Sequence, residues 1–240
     1  MADFIFADDY RLEEGATRSF YEEFLKGLVH KHNNLMGVIQ GFSSLILFDE
    51  EISNEIRESA QQMQDAAKTA SNLNRDVLIS SGCSRCDSDS ISLDSVFAYW
   101  KSKAEEACAA VGVTLQINCR DGLPAVLGDS GKLGEVFTQL IKNAAEGAAE
   151  TTNGSVAVDA FPPGEASPDG TVDLFIRNTS VEMSDESLKQ SFTPFHTTKG
   201  ADHYGLGLVT AAVLAGQMNT RLGLRYAEGT TTAWLAFPTA

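Results

Sequence analysis

The feature that most constrains the fold is an apolar seam in residues 20–48. Apolar side chains recur there at spacings of four, seven, three, four and three residues: Phe24, Leu28, Leu35, Val38, Phe42 and Leu45. Lys31 fills the one position of this heptad pattern that is not apolar. The pattern predicts a long helix that buries one stripe of its surface against other helices.

Two polar side chains lie on the flank of this predicted helix, beside the seam. His30 and Asn34 are four residues apart, so they share a helix face. A helix of this kind suits a bundle that presents an imidazole to another molecule. The same pattern also fits an ordinary core helix whose histidine is exposed, and this stretch alone leaves both interpretations open.

A second seam follows in residues 52–80. Its spacings alternate between four and three throughout: Ile52, Ile56, Ser59, Met63, Ala66, Ala70, Leu73 and Val77. Two seamed helices with a short acidic turn between them predict a helical hairpin over residues 17–82, after a polar lead-in over residues 1–16. Because a hairpin alone buries only part of its apolar surface, we expect a homodimer in which two hairpins form a four-helix bundle.

Beyond a Ser-, Gly- and Asp-rich break, helical and strand patterns are mixed. Strand-like stretches occupy residues 113–119, 124–129, 155–161, 171–178, 220–226 and 231–237, and helical ones occupy 95–111, 130–150 and 205–216. This predicts an α/β sandwich over residues 90–240 and an α+β chain overall. Residues 179–204 are expected to form a long polar loop, and loops of that length in compact domains are usually functional.

Charge and composition exclude some classes of partner. The formal net charge is −15, whereas nucleic acid and anionic membranes require a basic face. No apolar run approaches the ~20 residues of a membrane span, and the acidic N-terminus lacks the pattern of a signal peptide. The chain is therefore expected to be cytoplasmic. Cys83 and Cys86 form one C-x-x-C pair without a second pair for zinc, which leaves incidental loop thiols or a redox switch.

Five motifs occur in a fixed order along the chain. They are VHKHNNLMGVIQGF (29–42), GDSGKLGEVFTQLIKNAAEGA (128–148), FTPFHTTKG (192–200), GLGL (205–208) and GTTTAWLAFP (229–238). Together they resemble the transmitter of a two-component histidine kinase. In that family a dimerisation and histidine-phosphotransfer hairpin precedes an ATP-binding domain of the GHKL (Bergerat) type. The resemblance covers roughly residues 20–238.

The first motif resembles the H-box of the family. The resemblance implies that His30 accepts the phosphoryl group and that Asn34 positions water or the receiver phosphoryl group during dephosphorylation. An imidazole suits this role because its nitrogen is nucleophilic near neutral pH and its phosphoramidate is labile. His32 is expected to be structural.

The remaining motifs imply ATP and Mg²⁺ as cofactors. Asn143 matches the amide that ligates Mg²⁺, and Lys199 matches a catalytic cation of the nucleotide lid. The implied nucleotide contacts are Gln139, Lys142, Asn143, Asn178, Thr197, Thr198, Gly205 and Gly207. Glycines that open a helix let backbone N–H groups approach phosphate, where the helix dipole favours negative charge.

The function implied is ATP-dependent phosphorylation of His30, followed by transfer to an aspartate of a response-regulator receiver domain. A separate sensor protein is a further candidate partner. Two residues depart from the family pattern: Lys31 stands where an acidic general base is common, and Asn178 stands where an aspartate binds adenine. They favour an alternative, a histidine phosphotransferase or phosphatase that relays phosphoryl groups between receivers with a degenerate ATP site. A third interpretation is a non-enzymatic module that only docks receivers.

Overall fold

The computed structural model describes residues 4–8, 15–83, 86–120, 122–167, 169–200 and 203–240. The chain divides into two compact units. The helical unit is Leu12–Ser84, and the sheet unit comprises Met1–Arg11 and Arg85–Ala240. None of the helices in the described ranges is both long enough and apolar enough to cross a membrane.

The helical unit is a hairpin of α1 (Ala16–Phe48) and α2 (Asn54–Ser80), which pack along each other. Ser53 begins α2 as its N-cap, because its hydroxyl accepts a hydrogen bond from the Ile56 N–H at 3.3 Å. The hairpin predicted from the two seams is confirmed. Its dimerisation stays a prediction.

The predicted seam of α1 is not what the hairpin buries. Its six apolar side chains are exposed by 51% (Leu28) to 68% (Leu45), and Ile56 and Met63 of the α2 seam are exposed by 51% and 46%. Within α1 and α2 the buried side chains are small or sparse: Val29, Ser43, Ala60 and Ala67. The apolar stripe of α1 is therefore left exposed by the part of the chain that the structure describes.

The sheet unit is an α/β sandwich. The strands are β1 (Ile5–Phe6), β2 (Asp89–Ile91), β3 (Thr114–Cys119), β4 (Val126–Gly128), β5 (Ser155–Phe161), β6 (Val172–Thr179), β7 (Arg221–Ala227) and β8 (Thr230–Phe237). The main sheet has the strand order β1-β7-β8-β6-β5-β3, and among these described strands only β3 and β5 pair in parallel. The helices are α3 (Leu93–Ala110), α4 (Ser130–Ala149), α5 (Asp185–Gln190) and α6 (Gly207–Gln217). Strands β2 and β4 pair separately.

Helix α4 is the central helix of the sandwich. It packs against β5, β6 and the neighbouring helices α3 and α6. One face of α4 is apolar and buried: Leu133, Val136, Phe137, Leu140, Ile141, Ala144, Ala145 and Ala148. Burial of that stripe fixes the rotation of the helix, so its polar stripe is directed away from the core. The predicted α+β architecture, a helical hairpin followed by an α/β sandwich, is confirmed.

The N-terminal residues differ from the predicted lead-in. Ile5 and Phe6 form a strand that pairs antiparallel with β7, and the Ala7 N–H donates to the Leu222 carbonyl at 3.0 Å. The rings of Phe4 and Phe6 pack edge-on against Trp234, with ring centroids 5.3 and 5.6 Å away. This short apolar run carries too few residues to show a strand period. Residues 1–3 and 9–14 of the predicted lead-in lie outside the described residues.

The loop predicted over residues 179–204 also differs in part, because it contains the short helix α5. Ser184 caps α5 by accepting a hydrogen bond from the Ser187 N–H at 3.1 Å. The remainder of the loop, up to the start of α6, is irregular where the structure describes it. A turn and a half of helix surrounded by polar residues has little apolar periodicity, so the sequence pattern missed it.

Candidate functional site

The candidate site is built on the polar stripe of α4. Glu135, Gln139, Asn143 and Glu146 follow one another at spacings of four, four and three, so they line one side of the helix. The side chain of Asp129 caps the helix by accepting a hydrogen bond from the Lys132 N–H at 3.1 Å. The stripe is half-buried, which holds its side chains in place without closing them off from solvent.

Lys199 of the long loop reaches this stripe. Its Nζ donates a hydrogen bond to Asn143 Oδ1 at 3.2 Å and forms an ion pair with Glu146 Oε2. The side chains of Lys199 and Glu146 are 22% and 20% exposed. The structure thus brings together two residues that the sequence analysis selected, Asn143 and Lys199.

Glu146 is a residue of the site that the sequence analysis missed. Besides Lys199, its carboxylate lies 3.8 Å from Lys142 Nζ and 3.8 Å from His203 Nδ1. Three potential cations therefore surround one carboxylate. A signal existed in the sequence, since Glu146 is one helical turn after Asn143 on the same face, but an exposed glutamate on a helix is usually unremarkable.

The two glycines of the GLGL segment leave space for close contacts. Gly205 has φ +64°, and a Cβ there would lie 2.3 Å from the His196 carbonyl oxygen. At Gly207, the first residue of α6, a Cβ would lie 2.7 Å from Gln139 Oε1. Leu206, the N-cap, has no side-chain cap hydrogen bond. The first N–H groups of α6 thus remain available to an acceptor that approaches beside Gln139.

Asn178 lies near the end of β6, buried next to the last turns of α4. Its Nδ2 donates to the Thr179 carbonyl at 2.8 Å. A Cβ at Gly147 would lie 3.0 Å from that nitrogen, so the glycine permits the close approach of β6 to α4. Since the amide nitrogen is engaged, the amide oxygen is the atom of Asn178 that can receive a donor from a ligand.

The other predicted nucleotide contacts are at the surface. Thr197 and Thr198 are exposed in the long loop, and Thr197 Oγ1 accepts a hydrogen bond from the Lys199 N–H at 3.1 Å. That bond supports the loop conformation that carries Lys199. Lys142 is exposed, with 63% of its side chain accessible, so its ion pair with Glu146 is weak.

His30 and Asn34 belong to the helical unit, and both are exposed on α1. His32 differs from His30 in its contacts, because its Nδ1 lies 3.0 Å from Asn74 Oδ1 of α2. The Asn74 amide nitrogen in turn donates to Asn33 Oδ1 at 2.8 Å. His32 is thus tied into the hairpin, whereas the imidazole of His30 is presented at the surface.

The donor atoms at the stripe suit a hard divalent cation. Asn143 offers an amide oxygen and Glu146 a carboxylate, the ligand types that Mg²⁺ takes alongside waters and phosphate oxygens. Within the described residues no cluster of three or more His, Cys, Asp or Glu residues could hold a metal by itself. The ammonium group of Lys199 lies next to both oxygen donors, which shows that their position suits a cation. Since two protein donors are too few to hold Mg²⁺ alone, the residues present fit a metal ion whose other ligands are phosphate oxygens and waters.

The surroundings of Cys86, the second thiol of the C-x-x-C pair, lower its reactivity. Cys83 is buried, and partial burial raises the pKa of the Cys86 thiol; Asp129 and Asp87 raise it further against the opposing effect of Lys132. A raised pKa lowers the fraction of reactive thiolate at neutral pH. The environment of Cys86 therefore favours an incidental thiol over a redox switch.

Comparison with known proteins supports the assignment of the sheet unit. Residues 128–240 match the sequence model of the family described as histidine kinase-, DNA gyrase B- and HSP90-like ATPase. No curated protein sequence matches the chain. The family match covers α4, β6 and α6, the elements that carry the polar stripe, Asn178 and the two glycines.

Several solved structures share the fold. Full-length ShkA in complex with AMPPNP superposes with a TM-score of 0.76 at 20% identity over 91% of this chain and 46% of ShkA. The Acinetobacter baumannii histidine kinase AdeS gives 0.58 at 12% identity over 85% and 95%. The catalytic domain of the histidine kinase ThkA gives 0.55 at 18% over 64% and 96%. This chain spans less than half the length of ShkA. The predicted resemblance to a histidine kinase transmitter is confirmed.

Proposed function

We propose that this chain, whose residues 128–240 are an ATPase domain of the histidine kinase, gyrase B and HSP90 type, is a protein histidine kinase of two-component signalling. It binds ATP with Mg²⁺, phosphorylates His30 and passes the phosphoryl group to an aspartate of a receiver domain. The observation that carries the proposal is the contact between Lys199 of the long loop and Asn143 of the polar stripe on α4.

The nucleotide would lie along α4, with its base at the C-terminal end of the helix. The free oxygen of Asn178 can accept a hydrogen bond from the adenine amino group, although a neutral amide binds less strongly than an aspartate. The phosphates would then lie near Lys199 and the first N–H groups of α6, where the cation and the helix dipole both favour negative charge. Full-length ShkA, which shares the fold, was solved in complex with AMPPNP, and this supports binding of a nucleotide by the present chain.

Mg²⁺ would be held by Asn143 and would neutralise charge on the phosphate oxygens. The role of the protein's side chains would be to position the phosphates and to stabilise their charge. Lys199 would stabilise the charge that develops on the transferred phosphoryl group. The absence of a side chain at Gly207 lets Gln139 Oε1 lie against the first residue of α6, where Gln139 would contact the phosphates. Thr197 and Thr198 offer hydroxyl donors on the same loop.

The phosphoryl step requires a neutral imidazole at His30. A lone pair of the ring nitrogen forms the bond to the γ-phosphorus while the bond from that phosphorus to the bridging β–γ oxygen breaks. ADP leaves with the electron pair of that bond, and the proton on the other ring nitrogen is released to solvent. His30 is exposed, as a group that meets both a nucleotide and a receiver must be.

The exposed seam of α1 supports homodimerisation through the hairpin. An unpartnered stripe of this length is costly in water and is removed when two hairpins pack as a four-helix bundle. We expect Phe42→Glu, which places a charge within the exposed apolar seam of α1, to convert the dimer into a monomer. Light scattering at micromolar concentration measures the change in mass.

Lys68→Glu is the control for this variant, because it introduces the same side chain at an exposed position of α2 outside the seam. It should leave the dimer intact. A wild-type mass equal to one chain, or a Phe42→Glu protein that remains dimeric, would contradict the proposed interface.

The kinase proposal is tested by nucleotide binding and labelling of the wild-type chain. Calorimetry with Mg²⁺ and a non-hydrolysable ATP analogue should give a dissociation constant of ~10–100 μM, or about −7 to −5.5 kcal/mol. Labelled ATP should then transfer its γ-phosphoryl group to the protein. Absence of nucleotide binding would reject the kinase.

A relay is the second candidate, and Lys31 is the observation that favours it. The residue beside His30 carries a positive charge and cannot act as a general base. A relay or phosphatase would use His30 and Asn34 with receivers alone. The result that selects it is a labelled receiver that transfers its phosphoryl group to His30 in a chain that ATP does not label.

A further inference from the structure

A half-buried charge pair occupies the position where the proposed function requires a metal ion. The ammonium group of Lys199 lies between Asn143 Oδ1, at 3.2 Å, and the carboxylate of Glu146. Both atoms are hard oxygen donors of the kind that Mg²⁺ binds. An amide oxygen that accepts a hydrogen bond from Lys199 has less capacity to ligate a metal at the same time.

We propose that the ammonium group of Lys199 competes with Mg²⁺ for the oxygen atoms of Asn143 and Glu146, and that the two cations replace each other beside the Glu146 carboxylate. Without nucleotide, the ammonium group neutralises Glu146 and occupies Asn143. When Mg²⁺ arrives with a nucleotide, it takes over the Asn143 and Glu146 side while Lys199 moves to the phosphates. This inference rests on the proposed function, because it assigns a regulatory role within the same site.

The charges balance in both states of this exchange. In the free state the single negative charge of Glu146 is paired with Lys199 at close range, and Lys142 and His203 lie farther away at 3.8 Å. In the bound state Glu146 helps to neutralise the metal, and Lys199 pairs with a phosphate. Neither state leaves Glu146 without a counter-charge, which a half-buried carboxylate requires.

The exchange would couple arrival of the metal to the state of the long loop. Lys199 is carried by that loop, and its own N–H donates to Thr197 Oγ1 at 3.1 Å. Because Thr197 and Lys199 belong to the same loop segment, movement of the ammonium group from Glu146 to the phosphates would bring that segment closer to the nucleotide. It would also keep metal from binding strongly before a nucleotide is present, because Mg²⁺ alone offers Lys199 no new partner.

The experiment measures binding of Mg²⁺ alone by calorimetry, without nucleotide. Lys199→Met removes the competing cation and should tighten Mg²⁺ binding by about tenfold, a size typical of one charge-assisted hydrogen bond. Lys199→Arg retains a cation and should restore the weak wild-type binding. Adding Glu146→Gln to Lys199→Met should abolish the gain, since the carboxylate over which the cations compete is then absent.

Lys142→Met is the matched control, because it removes an equal charge that lies farther from the same carboxylate and is more exposed. It should change Mg²⁺ affinity by less than about twofold. An equal gain in Lys142→Met and Lys199→Met, or no gain in Lys199→Met, overturns the exchange.

This readout is independent of the proposed kinase activity. A gain of Mg²⁺ affinity in Lys199→Met supports the exchange even if the chain never labels His30. Conversely, a chain that binds nucleotide and labels His30, but whose Mg²⁺ affinity is indifferent to Lys199, retains the proposed function and refutes the exchange.

Discussion

His30→Gln is expected to lower ATP-dependent labelling of the chain by at least about a hundredfold, because it removes the nucleophile of the reaction. Glutamine keeps a polar side chain at this exposed position of α1, but its amide nitrogen has no available lone pair. Nucleotide binding should be unchanged, since His30 belongs to the helical unit and the proposed nucleotide site belongs to the sheet unit. Labelled ATP measures the transfer, and acid lability of the label identifies a phosphoramidate.

His32→Gln is the matched control for this variant. It makes the same substitution two residues along the same helix, at an imidazole that is engaged with Asn74. The hairpin should be slightly destabilised, while labelling should persist. Label that remains in His30→Gln and disappears in His32→Gln would show that the H-box assignment is misplaced.

Asn143→Ala is expected to weaken binding of Mg²⁺ with nucleotide by about ten- to a hundredfold and to abolish labelling with it. The substitution removes the amide oxygen assigned to the metal and the hydrogen bond that Lys199 donates to it. The methyl group of alanine remains on the same helix turn, so the packing of the apolar face of α4 is preserved. Calorimetry with the non-hydrolysable analogue measures the loss.

Gln190→Ala provides the control, because it also deletes an amide from the sheet unit, at an exposed position of the short helix α5. Its affinity for nucleotide should equal that of the wild type. If Asn143→Ala binds nucleotide as tightly as Gln190→Ala, the metal site on α4 is refuted.

The helical hairpin shows which structural features heptad spacing can predict. Heptad spacing predicted both helices, and the structure confirms them. The same spacing suggested that the seam would be buried, yet Leu35 and Phe42 are 60% and 62% exposed within one chain. Heptad spacing identifies the apolar face of a helix, but it does not identify the surface that packs against this face.

The site on α4 was partly readable from the motifs. Gln139 and Asn143 were found because both lie in one continuous motif, residues 128–148, that resembles a motif of the histidine kinase family. Glu146 was missed, because its role depends on Lys199, which is 53 residues away in the sequence. Strand β1 was missed for a similar reason, since two residues have no period and its hydrogen bonds are made to β7 near the other end of the chain.

Most of the local elements, the order of the motifs and the groups that can carry the chemistry were therefore predictable from the residues alone. Propensity, periodicity and capping act between residues that are close along the chain, so one sequence contains these signals. The folded chain was needed to show that Phe4 and Phe6 pack on Trp234 and that Lys199 lies against Asn143 and Glu146. Such contacts join residues whose separation along the chain carries no signal, and they form only because packing of the whole sheet unit compensates the entropy of closing long loops.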